Sequence, residues 1–148
     1  MLPLDLDFEA RCRSSFTRQA FMATLGARLA SIEPGQVVIE LPFRTDLTQQ
    51  HGFLHAGVLA AVLDSACGYA ALSLMAPGSA VLTVEFKINL MKPAAGTLFR
   101  AAGKVIRAGH TLTICNGEMH AQHVDKQTVI AVMQSTMMAV SDRKDLAD

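Results

Sequence analysis

From Gly57 to Met75 the chain is apolar nearly all round, broken by two serines and a single charge, Asp64. Such a segment is a helix buried on most of its sides, because an amphipathic surface helix would show a polar face. Pro77-Gly78 stops it. It carries too many small residues and interruptions for a membrane span. Asp64 is the anomaly, since an ionised carboxylate on a buried helix is costly unless paired or hydrogen-bonded. Three and four positions away stand Ala60, Ala61, Cys67 and Gly68, with Gly57 and Ala71 a turn further, all small. The carboxylate therefore lies in a stripe where another chain or a ligand can come close. It reads equally as a structural group bridging a loop or an interface and as a reactive one.

The rest of the chain supplies cover for this helix. Residues 5–25 read as one or two short helices, with Asp5 or Asp7 capping the first and Ser14 or Ser15 the second. Phe16, Phe21 and Met22 could form a lid over an apolar ligand. Gly26 opens a strand to Glu33, Pro34-Gly35 turns the chain, and Gln36 to Pro42 returns as the second arm of a hairpin. Residues Ala80 to Lys92 alternate. Leu82, Val84, Phe86, Ile88 and Leu90 fall on one face, and Val81, Thr83, Glu85, Lys87, Asn89 and Met91 on the other, the pattern of a half-buried antiparallel strand. Strands over Thr97–Arg107, His110–His123 and Gln127–Val140 follow as a meander, with turns at Ala108-Gly109 and Asp125-Lys126. Residues 141–148 form a charged tail expected to fray. A hairpin, one long buried helix and a run of strands imply an α+β fold in which an antiparallel sheet wraps one central helix, with short N-terminal helices. The whole of 1–148 reads as one domain, with 1–25 as its N-terminal helical segment.

Composition narrows the partners. A formal net charge of zero leaves no electrostatic footprint for nucleic acid or an anionic membrane. Hydrophobic residues make up 51% of the chain, which excludes a disordered segment. Cys12, Cys67 and Cys115 are odd in number and form no CxxC pair, so neither a disulfide framework nor a zinc ribbon is expected, and a cytoplasmic location is. The first residues lack the basic and apolar regions of a signal peptide.

The turn before the central helix supplies the second half of a candidate site. Backbone N–H groups of Ala56, Gly57 and Val58 would point off the helix N-terminus, where the macrodipole favours negative charge. Donors so placed can stabilise an oxyanion on a thioester or ester carbonyl. Asp64 lies roughly 10 Å further along the axis, and a substrate lying along the small-residue stripe could meet both.

The order Gln49…Gly52-Phe53-Leu54-His55-Ala56-Gly57, then six apolar or small residues, then Asp64, resembles the hotdog-fold acyl-CoA thioesterases, and within them the PaaI-like branch. The resemblance runs on to about Val140. It implies an antiparallel sheet wrapped around the helix, assembly into a dimer or a dimer of dimers with active sites between subunits, and hydrolysis of acyl-CoA thioesters. In the resemblance Asp64 is the general base or nucleophile. Ala56 and Gly57 offer backbone donors to the thioester oxygen, with Ala56 standing where Gly is usual. His55 positions the carbonyl or the leaving thiolate. Gln49 replaces the branch's usual Asn, and Gln50 is its fallback. Thr83 corresponds to a hydroxyl that, in relatives, arrives from the partner subunit. Lys87, Asn89, Lys92, Arg107, Gly109 and His110 are candidates for gripping coenzyme A, whose phosphates call for cations and backbone groups. Coenzyme A enters as part of the substrate, and no metal or organic cofactor is expected. Two rivals stand beside this reading: a hotdog hydratase or dehydratase on acyl thioesters, and a non-catalytic acyl-CoA binding module.

Overall fold

The computed structural model describes residues 1–124, 126–141, 143 and 146. The expected turn at Asp125 and most of the 141–148 tail lie outside the described residues. In chain order the elements are α1 (Phe8–Thr17), α2 (Ala20–Leu25), β1 (Arg28–Glu33), β2 (Gln36–Pro42), a 3-10 turn (Thr45–Leu47), α3 (Ala56–Leu72), β3 (Ala80–Leu90), β4 (Leu98–Ala108), β5 (Leu112–His123) and β6 (Lys126–Val140). All six strands join one antiparallel sheet in the order β1-β2-β4-β5-β6-β3, and α3 lies in its concave side.

Two features differ from the sequence expectation. The meander is β4-β5-β6 alone, and β3 returns to pair with β6, leaving β1 and β3 as the two edges. The strand β3 also does not alternate without a break. Its pairing with β6 slips between Thr83 and Glu85, so Val84 is an extra residue. A bulge of this kind flips every later side chain to the other face. Phe86 and Ile88 oppose the buried Ser135 and Met133, so they face α3 as expected, whereas Leu82 opposes Met138 on the outer face. Thr83 opposes the fully buried Met137 and faces α3, not the polar side with Glu85 and Lys87.

The helix is seated on backbone. Gly103 of β4 and Gly117 of β5 are paired with each other and face α3. A Cβ at Gly103 would stand 2.4 Å from the Ala66 carbonyl carbon and oxygen, so only glycine admits the helix this closely. Leu59, Val62, Leu63, Ala66, Cys67 and Ala70 fill the core beside it.

The N-terminal helices close the other side of α3. Phe16 packs edge-on against Tyr69 with ring centroids 5.6 Å apart, and Cys12 and Met22 are buried. Of the expected lid, Met22 is core, Phe16 is half-buried, and Phe21 alone is exposed. Asp5 accepts from the Asp7 N–H at the start of α1, while Ser15 sits inside α1 and meets the Tyr69 hydroxyl instead of capping α2. Arg11 donates to the carbonyls of Leu72, Met75 and Ala76 and so caps the far end of α3.

Gly103→Ala is expected to cost about 3 kcal/mol of stability by overpacking at this contact. Chemical denaturation of the variant checks it, and an unchanged midpoint would mean that α3 has room to lift from the sheet.

Candidate active site

The loop before α3 is a tight turn whose hydrogen bonds are internal. The Gln49 N–H donates to Phe53 O at 2.8 Å and the Gly52 N–H to Gln49 O at 3.0 Å. Gly52 has φ of 83°, a left-handed conformation that glycine adopts without strain. The loop is fastened at both sides, by the His55 N–H on Leu47 O and the Leu54 N–H on Ala94 O.

His55 is the N-cap of α3. Its Nδ1 accepts from the Gly57 N–H at 2.9 Å and its carbonyl accepts from the Val58 N–H at 3.0 Å. An accepting Nδ1 carries no proton, so the hydrogen-bond pattern assigns the ring proton to Nε2. Of the three N–H groups expected to be free at the helix start, Gly57 and Val58 are therefore already engaged. The Ala56 N–H has no acceptor among the described residues, and it is exposed. Ala56 is the first helical residue, so its φ is negative and alanine fits as well as glycine would.

Asp64 lies in the middle of α3 and is half-buried. The Thr83 hydroxyl of the same chain donates to its Oδ1 at 2.8 Å. The bulge at Val84 turns Thr83 toward the helix and so lets the chain's own hydroxyl reach the carboxylate. Burial raises the Asp64 pKa above the ordinary carboxylate range, and the Thr83 hydrogen bond works against that rise. The thiols near it are inert. Burial pushes Cys67 up to about 11 and Cys115 up to about 12.

Gln49 and Gln50 are otherwise occupied. The Gln49 side-chain oxygen accepts from the His51 N–H, which ties it into the loop, and the Gln50 amide lies 3.3 Å from His51 Nε2. Gln49 still borders a cavity of about 490 Å³ at the start of α3, with Ala56, Leu59, Leu90, Lys92 and Pro93 around it.

The expected coenzyme A contacts are not gathered in one chain. Lys92 alone stands at the helix start. Lys87 and Asn89 point from β3 to the outer face of the sheet, beside Asn116, Glu118 and Gln134. Arg107 lies near the end of β4, and Gly109 and His110 follow in the β4–β5 turn, near Leu74 and Met75 at the far end of α3. Sequence position gives a strand end but not the sheet edge it shares. Sequence reading also missed Gly103 and Gly117, although glycine inside a strand is a recognised sign of close backbone approach. No group of three or more potential metal ligands occurs among the described residues.

Residues 51–127 match the family model described as the thioesterase superfamily. Among solved structures, a thioesterase-family protein from Silicibacter pomeroyi is 48% identical over 90% of this chain and 98% of that one, with a TM-score of 0.89. The PaaI protein of the phenylacetic acid degradation operon of E. coli shares the fold at 19% identity, covering 93% of this chain and 96% of that one, with a TM-score of 0.84. The 1,4-dihydroxy-2-naphthoyl-CoA hydrolase of Listeria monocytogenes is 25% identical over 62% of this chain and 74% of its own length. Two curated proteins of Saccharolobus solfataricus, at 33% and 32% identity, are spanned over 64% and 59% of their length, less than two thirds.

The Asp64–Thr83 pair gives a direct test. The Asp64 carboxyl is expected to titrate above the ordinary aspartate range, and Thr83→Val to raise that midpoint further by removing the opposing hydrogen bond. Carboxyl-detected NMR titration of both proteins reads the two midpoints. A downward or absent shift in the variant would break the assigned contact.

Proposed function

This chain belongs to the thioesterase superfamily, with residues 51–127 matching its model, and we propose that it hydrolyses acyl-CoA thioesters to the free acid and coenzyme A. The observation that carries this reading is the desolvated Asp64 carboxylate held by Thr83, on a helix whose first N–H group has no acceptor among the described residues. The fold is that of the PaaI-like hotdog thioesterases, and the likeness to a naphthoyl-CoA hydrolase supports a coenzyme A ester as substrate.

In the proposed reaction the thioester oxygen meets the Ala56 N–H, aided by the helix dipole. Asp64, ionised, removes a proton from water as that water adds to the carbonyl carbon, or itself adds to give a mixed anhydride that water then opens. The carbon–sulfur bond breaks, the thiolate takes up a proton, and the acid departs. His55 Nε2–H donates to the carbonyl or the leaving sulfur in this reading. Both routes use the same atoms of this chain and no cofactor.

The site is proposed to be shared between two copies. Ala56 and Asp64 are eight residues apart on one helix, about 12 Å along its axis. Reacting atoms must come within about 3–3.5 Å of one another. A long substrate could touch both groups of one chain, but its single carbonyl could not. Strand β3, 11 residues long, is the last in the sheet, and on it Leu82, Val84, Phe86 and Leu90 are 42–53% exposed. Such an edge is a template for pairing. Pairing two β3 edges about a two-fold axis sets the helices side by side, so that Asp64 of one copy faces the helix start of the other. A homodimer or dimer of dimers follows, and three buried cysteines outside any disulfide support a cytoplasmic location. Among the described residues no helix is long and apolar enough to cross a membrane.

Free-thiol release from a panel of aromatic and short-to-long aliphatic acyl-CoAs tests the reading. Asp64→Asn is expected to lower turnover by about 10²–10⁴-fold. The same variant should melt at or above wild type at pH 7. A carboxyl whose folded pKa is raised contributes stability below its unfolded pKa and loses it as pH rises through the folded value, so the ionised group is a burden at neutral pH that Asn lacks. Near-normal turnover in Asp64→Asn would sink the assignment. Val84→Lys, which charges the edge, is expected to give monomers that keep the Asp64–Thr83 contact yet hydrolyse nothing. Fully active monomers in sedimentation would overturn the shared site.

A further inference from the structure

The sheet glycines that face α3 are packed shut, and a glycine of α3 itself is open. A Cβ at Gly103 would come within 2.4 Å of Ala66, and one at Gly117 within 3.0 Å of the Cys67 sulfur. Gly68 is buried in α3, yet a Cβ there would meet nothing within 4 Å. Its φ is not among the positive values of the chain's glycines, so no backbone conformation demands glycine. Glycine inside a helix is less stable than alanine. At Gly68 the missing side chain therefore serves neither the backbone nor a close neighbour among the described residues, and what it preserves is space.

That space continues the candidate active site. Gly68 lies four residues after Asp64, about 6 Å further along the axis and about 40° round it. On one flank is β3, where Thr83 donates to Asp64. On the other is the junction of α1 and α2, where the Ser65 hydroxyl donates to Gln19 at 3.3 Å. Neither element brings an atom within 4 Å of where a Cβ at Gly68 would stand. Asp64 and Leu72 flank it one turn away along the helix, and Asp64 is the one charge on this face. An apolar group fits such a space, and a second carboxylate beside Asp64 does not.

We propose that Gly68 sets the size of the acyl group: the space beyond Asp64 takes the apolar end of the acyl chain while the thioester carbonyl sits at the carboxylate. This rests on the acyl-CoA reading above and adds a determinant of selectivity to it. A side chain at position 68 shortens the space from its far end, so it penalises long or bulky acyl groups more than short ones.

The test measures kcat/KM by thiol release over straight-chain acyl-CoAs from acetyl to dodecanoyl, with phenylacetyl-CoA included. Wild type, Gly68→Ala and Gly68→Val are compared, and sedimentation of each is run in parallel. The ratio of kcat/KM for the longest chain that wild type accepts to that for acetyl-CoA is expected to fall about tenfold or more in Gly68→Val. It should fall by less in Gly68→Ala, which should also melt higher than wild type because alanine suits a helix better. Where the valine variant does not fold, the alanine variant carries the test. A uniform change across the panel, or an unchanged ratio in an active enzyme, overturns the role of Gly68 and leaves the acyl-CoA reading standing. Conversion of Gly68→Val to monomers also overturns it, since the space then belongs to a second copy. A wild type that releases thiol from no member of the panel overturns the acyl-CoA reading itself.

Discussion

The contact of α3 with the sheet backbone at Gly103 is the constraint on which the rest depends. A helix that is apolar on nearly every side gains most when every side is covered. The sheet covers it by coming within a Cβ's width of Ala66 and Cys67, with Gly117 beside Gly103 on the next strand. This fixes the height of the helix over the sheet and its rotation about its own axis. Once Ala66 points at β4, the helical period turns Asp64 toward β3 and Ser65 and Tyr69 toward the N-terminal helices. The half-burial that raises the Asp64 pKa is thus a product of the same packing that holds the core together.

Strands and helices were legible from residue pattern because their signals are local: alternation, turn glycines and prolines, and one long apolar run. Strand order was not local. The position of β3 beyond β6 places the first strand after the helix at the opposite side of the sheet from β4, and no residue of the connecting loop encodes that choice. The bulge at Val84 was also hidden. It contains no glycine or proline, so the sequence reads as unbroken alternation and puts Thr83 on the wrong face. Asp64 and the helix start were legible because a charge in an apolar helix and a polar turn before it stand out by type. The scattered cations were not, since nothing in a strand-end lysine states whether it faces the concave or the outer side.

The motif around His55 carries a folding role beside the chemical one proposed for it. Its ring and its carbonyl together satisfy two of the N–H groups that a helix start leaves without partners. That use lowers the number of free donors to one, at Ala56. A single donor backed by the helix dipole is a narrower oxyanion site than three, and its direction is set by the cap. In the proposed reaction the histidine that fixes the cap also offers its Nε2–H as the second donor at the helix start.

The exposed edge and the divided site answer each other. Within one chain, β3 leaves four large apolar side chains about half exposed, while Asp64 is only half-buried and its complementary N–H lies about 12 Å away. Covering the edge with a second copy would bury the apolar residues and bring the missing donor at once. It would also withdraw more water from Asp64, and desolvation is the larger of the two influences on its pKa. A carboxylate desolvated further is a stronger base. In the shared site proposed above, assembly therefore sets the strength of the base as well as its geometry, and a dissociated chain holds the right residues with neither the partner donor nor the full basicity.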